Sequence, residues 1–175
     1  CIEYPRAILV TNTKINGLPA HTAVVPYEGI ESLTKYENGE FGVIYFIDEM
    51  HLEFNSLESK NVPIEVMVEI SQQRKQRKHI VGTSQVYMRM AKPLREQIKN
   101  VVICKNILGC LQINRLVNGE TAREVDGELK FDTTKLFFWF HSPTLYNSYD
   151  TYAKMKRYSL EWKGSSGTSL YGNNN

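Results

Sequence analysis

Apolar residues come in short runs separated by longer mixed stretches, and the runs set the first expectations. Residues 7–11 (AILVT) are apolar and end at Asn12, which predicts a buried strand. Residues 14–26 hold Gly17, Pro19 and Pro26 and read as loop. Residues 28–36 predict a short helix stopped by Asn38-Gly39. Residues 42–47 (GVIYFI) are apolar on both alternating faces, the pattern of a central strand in a parallel sheet. Asn61 and Pro63 then introduce a helix expected to reach Arg77, with Asn61 as cap and Val66, Met67 and Ile70 on one face. A strand is expected at 79–83, a helix interrupted by Pro93 at 88–97, and a strand at 101–104.

Beyond residue 104 the pattern changes. Residues 110–117, the Asn118-Gly119 pair and a second run toward Val125 predict a β-hairpin. Asp126-Gly127 predicts a turn into another strand, and 136–140 (LFFWF) an aromatic segment packed against the sheet. Tyr146, Tyr149, Tyr152 and Tyr158 mix with Lys154, Lys156 and Arg157, a combination that suits DNA contact or equally a partly buried helix with a solvated face, and Asp150-Thr151 reads as a helix cap. Alternating strands and helices through residue 104 are an α/β signature. The expectation is an α/β core with a mainly parallel sheet, helices on both faces and a C-terminal β-hairpin extension. It occupies 1–160 as one domain, followed by a flexible Gly/Ser/Asn tail at 161–175.

Composition narrows this picture slightly. The 175 residues are 42% hydrophobic and 23% charged, enough for one domain with a core. A net charge of +2 does not announce a nucleic-acid binder, although local patches stay open. Cys1, Cys104 and Cys110 lack disulfide or zinc spacing, and Cys104 and Cys110 are expected as small buried hydrophobes. No stretch has the ~20 apolar residues of a membrane span. His21 and His79 are isolated and suggest no site.

The chemistry concentrates at the end of the strongest strand. Val43-Ile44-Tyr45-Phe46-Ile47 runs into Asp48-Glu49, two adjacent carboxylates where open α/β sheets place their ligands. Two readings of this string stand: a Walker B motif, or a strand followed by a charged turn. In a Walker B motif the Asp orients Mg²⁺ through its water and the Glu polarises the water that attacks a γ-phosphate. His51 extends the string to Asp-Glu-Met-His, the form seen in certain helicases, but no Ser-Ala-Thr follows. A helix ending in Ser71-Gln72-Gln73-Arg74-Lys75-Gln76-Arg77 and a strand ending in Gly82-Thr83-Ser84-Gln85 come next. In a P-loop core Gln85 would stand where a polar residue senses the γ-phosphate, and otherwise it is a polar residue after a strand with no such role. Arg74 or Arg77 reads as an arginine acting on a neighbouring subunit's nucleotide, or as a solvated basic helix end.

Taken in order, Thr11-Asn12, Asp48-Glu49, Ser71-Gln72-Gln73-Arg74, Thr83-Ser84-Gln85 and Arg95 resemble the zonula occludens toxin-like family. Its members are similar to filamentous-phage morphogenesis ATPases and belong with the FtsK–HerA motors. The resemblance covers roughly residues 7–117. It implies a RecA-like P-loop core and a homo-oligomer, ring-shaped, that hydrolyses ATP with Mg²⁺ to translocate DNA or assemble phage. Asp48 would hold Mg²⁺ through water, Glu49 would activate water, Gln85 would sense phosphate, and Arg74 or Arg77 would act in trans. It also implies the cytoplasmic side of the host cell, at the bacterial inner membrane through a segment after the ATPase domain. One departure is large: no Gly-x-x-x-x-Gly-Lys-Ser/Thr string occurs in the chain. The Met-less start at Cys1 leads to the expectation that this loop lies upstream. The alternative is a non-catalytic structural or DNA-binding subunit that kept the fold without the loop. A metal-dependent nuclease using Asp48 and Glu49 is a third reading, for which Glu3 and Glu53 are poorly placed further ligands. For Phe137-Phe138-Trp139-Phe140 with His141, stacking on single-stranded nucleic acid is the alternative to packing.

Overall fold

A computed structural model describes residues 3–55, 62–73, 75–126 and 128–142. They fall in two compact units, one within Cys1–Ala91 and one within Lys92–Asn147.

The first unit is built on a four-stranded parallel sheet. Its strands are β1 (Ile8–Thr11), β2 (Ala23–Pro26), β3 (Val43–Ile47) and β4 (Lys78–Gly82), in the order β2-β1-β3-β4. The central position expected for β3 is observed. β2 corrects the loop reading of 14–26. Its Pro26 sits at the end of an edge strand, where a missing N–H costs the ladder least.

Three helices follow the strands: α1 (Ser32–Lys35), α2 (Met50–Glu53) and α3 (Ile64–Gln72). On the sheet face formed by Val43, Tyr45 and Ile47, the Tyr45 hydroxyl donates to the carbonyls of Ser32 (3.1 Å) and Leu33 (3.3 Å) in α1. Burial, with the nearby charges of Glu69 and Tyr36, holds the Tyr45 phenol in its protonated form. Val66 and Ile70 of α3 are buried, and Glu69 pairs with Lys78 at the start of β4. Met50 of α2 lies over Gly82 on this same face.

These helices therefore share one face, not two. The opposite face, with Ile44, His79 and Val81, is lined by Tyr4, Leu18 and Pro19 around an open cavity of about 550 Å³. The apolar run of β3 suggested burial on both sides, but β4 alternates and leaves His79 and Val81 exposed.

α3 is also shorter than the sequence pattern suggested. Pro63 occupies its cap position, Asn61 lies outside the described residues, and the helix ends at Gln72. The chain reverses at Arg77, whose φ of 53° is the left-handed conformation that stops helices and lets Lys78 enter β4.

The second unit is antiparallel. α4 (Lys92–Arg95) carries Pro93 in its first turn, where no N–H is needed. β5 (Asn100–Ile107), β6 (Leu111–Asn118) and β9 (Thr133–Phe140) form a sheet in that order, and β7 (Arg123–Val125) pairs with β8 (Glu128–Lys130). The strand expected at 101–104 thus belongs to a hairpin rather than to the parallel sheet. Its turn is Leu108-Gly109-Cys110, where Leu108 and Gly109 take φ of 53° and 70°. Asn118-Gly119 does not close a hairpin. Asn118 Oδ1 instead accepts from the Glu120 amide and starts a 3₁₀ turn. The turn predicted at Asp126 does join β7 to β8. Two burial expectations fail: Cys104 and Cys110 are exposed, and so is every residue of β9. β9 is an edge strand, so pairing with β6 alone does not cover its side chains. The tyrosine-rich helix and the tail expected beyond residue 142 lie outside the described residues.

Candidate functional site

Parallel pairing brings the C-terminal ends of β1, β3 and β4 to one edge of the sheet. Extending the register Thr11↔Phe46 and Ile47↔Gly82 by one step brings Asn12 level with Ile47, one residue short of Asp48, and Thr83 level with Asp48. Asn12 clamps Asp48 through its backbone. Its Oδ1 accepts from the Asp48 N–H at 2.8 Å, and its Nδ2 donates to the Asp48 carbonyl at 2.9 Å. One amide side chain thus closes both hydrogen-bonding groups of a residue 36 positions away.

Thr83 makes the matching clamp from the other side. Its hydroxyl donates to Asp48 Oδ1 and accepts from the Glu49 N–H at 3.0 Å. Its carbonyl accepts from the Met50 N–H at 2.8 Å, and its own N–H donates to the Ile47 carbonyl at 3.0 Å. These bonds hold Glu49 in the left-handed conformation, φ 56° and ψ 42°. A non-glycine residue pays for that conformation with strain, and such strain concentrates at functional positions. The consequence is local. The chain turns sharply out of β3 into α2, and the carboxylates of Asp48 and Glu49 do not alternate as strand neighbours would.

Glu49 is positioned further by side chains. Gln85 Nε2 donates to Glu49 Oε1 at 2.8 Å, and His51 Nε2 lies 3.6 Å from Glu49 Oε2. His51 is buried, and its Nδ1 has no hydrogen-bond partner among the described residues. The structure therefore gathers Asp48, Glu49 and Gln85 as the sequence order suggested. Asn12, Thr83 and His51 join them. Asn12 and Thr83 were visible only as strand ends, because their partners lie more than thirty residues away.

Arg77 sits elsewhere. It precedes Lys78, whose partner Val43 begins β3, so it is at the opposite end of the sheet from Asp48. Its guanidinium donates to the Glu40 carbonyl at 2.7 Å. It takes no part in this chain's own carboxylate cluster, and the action expected of it is on a neighbouring subunit. Arg74 lies outside the described residues.

The donor set can be tested against the ion and nucleotide that the sequence suggested. Among the described residues no group of three or more His, Cys, Asp and Glu converges on one point. Mg²⁺ is held by one or two carboxylates with water and substrate phosphates. Asp48 offers such a carboxylate at a half-buried strand tip.

No family model matches this chain, and no curated protein does. Among solved structures, it is similar to the N-terminal domain of zonular occludens toxin from Neisseria meningitidis. The TM-score is 0.52 at 13% identity, over 83% of this chain and 81% of that one. That likeness is one of fold: a mixed α/β architecture with a mainly parallel sheet and antiparallel hairpins.

Proposed function

We propose that this chain is the core of a Mg²⁺-dependent ATPase that drives DNA translocation or phage assembly as a homo-oligomer at the bacterial inner membrane. The observation that carries the reading is Glu49. It is a strand-tip carboxylate held in a left-handed conformation by Thr83 and contacted by Gln85. A general base needs a fixed carboxylate within reach of its water, and a carboxylate held at a sheet edge beside the Gln85 amide supports that role. Bound Mg²⁺ would neutralise phosphate charge, and Asp48 is the residue that would orient it through water. Glu49 would accept the proton of the attacking water. Asn12 would hold the Asp48 backbone, and Thr83 the Asp48 carboxylate and the Glu49 amide. Arg74 or Arg77 would act on a neighbour's nucleotide.

The reading requires a phosphate-binding loop that residues 1–175 do not contain. The sheet offers it a place. Among the described residues β4 has no strand on its outer edge, so a parallel strand added there would end beside Thr83 and Glu49. The likeness to the Neisseria protein's N-terminal domain supports the architecture.

The test is ATP hydrolysis by the full-length gene product with and without DNA, beside Glu49→Gln. Hydrolysis should fall by about 10²-fold or more in the variant, with nucleotide binding retained. A folded full-length protein that binds no nucleotide would refute the reading. The lack of a loop string in the chain favours one second reading, a non-catalytic structural or DNA-binding subunit, which that outcome would leave standing.

A further inference from the structure

One end of the three-stranded sheet carries large apolar side chains on both faces and at its apex. Ile107, Leu111 and Phe140 form the row beside the β5–β6 turn. Trp139 lies in the next row, on the opposite face, with Asn106 and Gln112. Leu108 in the turn itself is 93% exposed, and Phe138 and Phe140 are 72% and 73% exposed. The turn makes its apex residue unusual. The Cys110 N–H donates to the Ile107 carbonyl at 3.3 Å, and both residues between them, Leu108 and Gly109, have positive φ. Such hairpin positions favour Asn, Asp or Gly. Leu108 therefore meets backbone strain and exposure together.

Charge is graded behind this end. Lys105 shares the row and face of Phe138, and Arg115 the row and face of Leu136. Lys135 comes one row later on the other face. At the strand rise they stand roughly 7, 14 and 17 Å behind the Ile107 row. No Asp or Glu occurs at 100–118 or at 133–141. From the apex backward the order is aliphatic and aromatic side chains, then tryptophan with amides, then cations.

We propose that this end of the sheet enters the surface of an anionic phospholipid bilayer. Leu108, Ile107, Leu111 and Phe140 reach the acyl boundary. Trp139 and the amides of Asn106 and Gln112 lie at headgroup level, where tryptophan is enriched. Lys105 meets the phosphates, and the long stem of Arg115 runs back along the sheet toward them. Interfacial elements enter by about 5–10 Å, the depth of this turn and its first rows. A flat protein partner covers one face, whereas a bilayer takes in an end that is apolar at its apex and on both faces. A second copy of this sheet would bring the same cations and no acid to meet them. The lipid contact stands without the motor reading, and which membrane it meets rests on that reading.

The experiment is co-sedimentation of this chain with phosphatidylglycerol–phosphatidylethanolamine vesicles, beside phosphatidylcholine vesicles, without nucleotide. The anionic vesicles should bind it much more tightly. Leu108→Asn and Phe140→Ser should each weaken that binding about tenfold, and Lys105→Gln about fivefold. Val102→Ser and Leu136→Ser change exposed residues roughly 14 Å or more behind the Ile107 row and should leave binding unchanged. Asn adopts the left-handed conformation more readily than Leu, so Leu108→Asn should keep or raise the thermal unfolding midpoint. Its loss of binding is then not loss of fold, which keeps the test decisive even if Phe140→Ser unfolds. Four results would overturn the proposal: no binding, equal binding to both vesicle types, equal losses in the Val102 and Leu136 variants, or a folded Leu108→Asn that binds vesicles normally. Sedimentation velocity of Leu108→Asn adds one more, since a variant that loses self-association but keeps its vesicles would assign this end to a second copy. None of these results requires ATP hydrolysis, so failure here and failure of the ATPase reading are distinguishable.

Discussion

Replacing Lys78 by Met should destabilise this fold more than any other single polar change in the parallel-sheet unit. The Lys78 side chain is 2% exposed and its Glu69 partner 16%. The ammonium donates to Glu69 and, at 3.1 Å, to the Leu33 carbonyl, tying β4 to both α3 and α1. Met fills the volume of the aliphatic stem but leaves Glu69 as a half-buried carboxylate whose remaining bond is from Gln76 Nε2 at 2.9 Å. Breaking a buried pair from one side costs about 3–5 kcal/mol, whereas replacing both partners with apolar groups is often neutral. Lys78→Met should therefore lose about 3–5 kcal/mol in urea unfolding, and Lys78→Met with Glu69→Leu should recover most of it. Acid adds a second reading. Burial pushes the Glu69 carboxyl up, but hydrogen bonds from Lys78 and Gln76 and the Lys78 charge together pull it below its ordinary value. A carboxyl lowered on folding contributes stability above its unfolded pKa and loses it as pH falls through the folded value. Wild-type stability should thus decline on the acid side of about pH 4, and this dependence should flatten in Lys78→Met. A loss below about 1 kcal/mol, or no rescue by the double variant, would show that the pair is not the buried lock described.

Two further changes probe the backbone, one at the start of β3 and one at the site. Gly42 has φ 72°, and a Cβ there would lie 2.3 Å from the Arg77 carbonyl oxygen, so Gly42→Ala should cost about 2 kcal/mol or more in thermal or urea unfolding. Asn12→Asp keeps an acceptor for the Asp48 N–H but sets an oxygen against the Asp48 carbonyl. It should cost about 1–3 kcal/mol and lower ATP hydrolysis by the full-length protein, while a silent variant would remove Asn12 from the site.

Parts of the site were legible because their signal is local. Asp48 and Glu49 follow an apolar strand directly, and a strand tip is where open sheets place chemistry. Gln85 follows the next strand in the same way, and parallel pairing was enough to bring it to Glu49. Asn12 and Thr83 are small polar residues after short strands, a pattern met in many loops. Only the register that lines up Thr11 with Phe46 and Ile47 with Gly82 turns them into clamps. Arg77 is a different case. A basic run after a helix suggested an arginine acting on a neighbouring subunit's nucleotide or a solvated helix end, and only the turn shows that it stands at the opposite end of its own sheet from Asp48.

By itself, then, the sequence determined the parallel strands around β3, the helix carrying Val66 and Ile70, and the carboxylate pair at the strand's end. Apolar periodicity and adjacent charges are properties of neighbours in the chain. The tertiary structure decided what depends on distant partners. It showed that β2 is a strand despite its proline, and that residues 101–104 pair with β6 and not with β4. It left LFFWF exposed on an edge strand, and it divided those aromatics between two faces. An apolar run states that burial is favourable, whereas whether anything covers it depends on which surfaces meet.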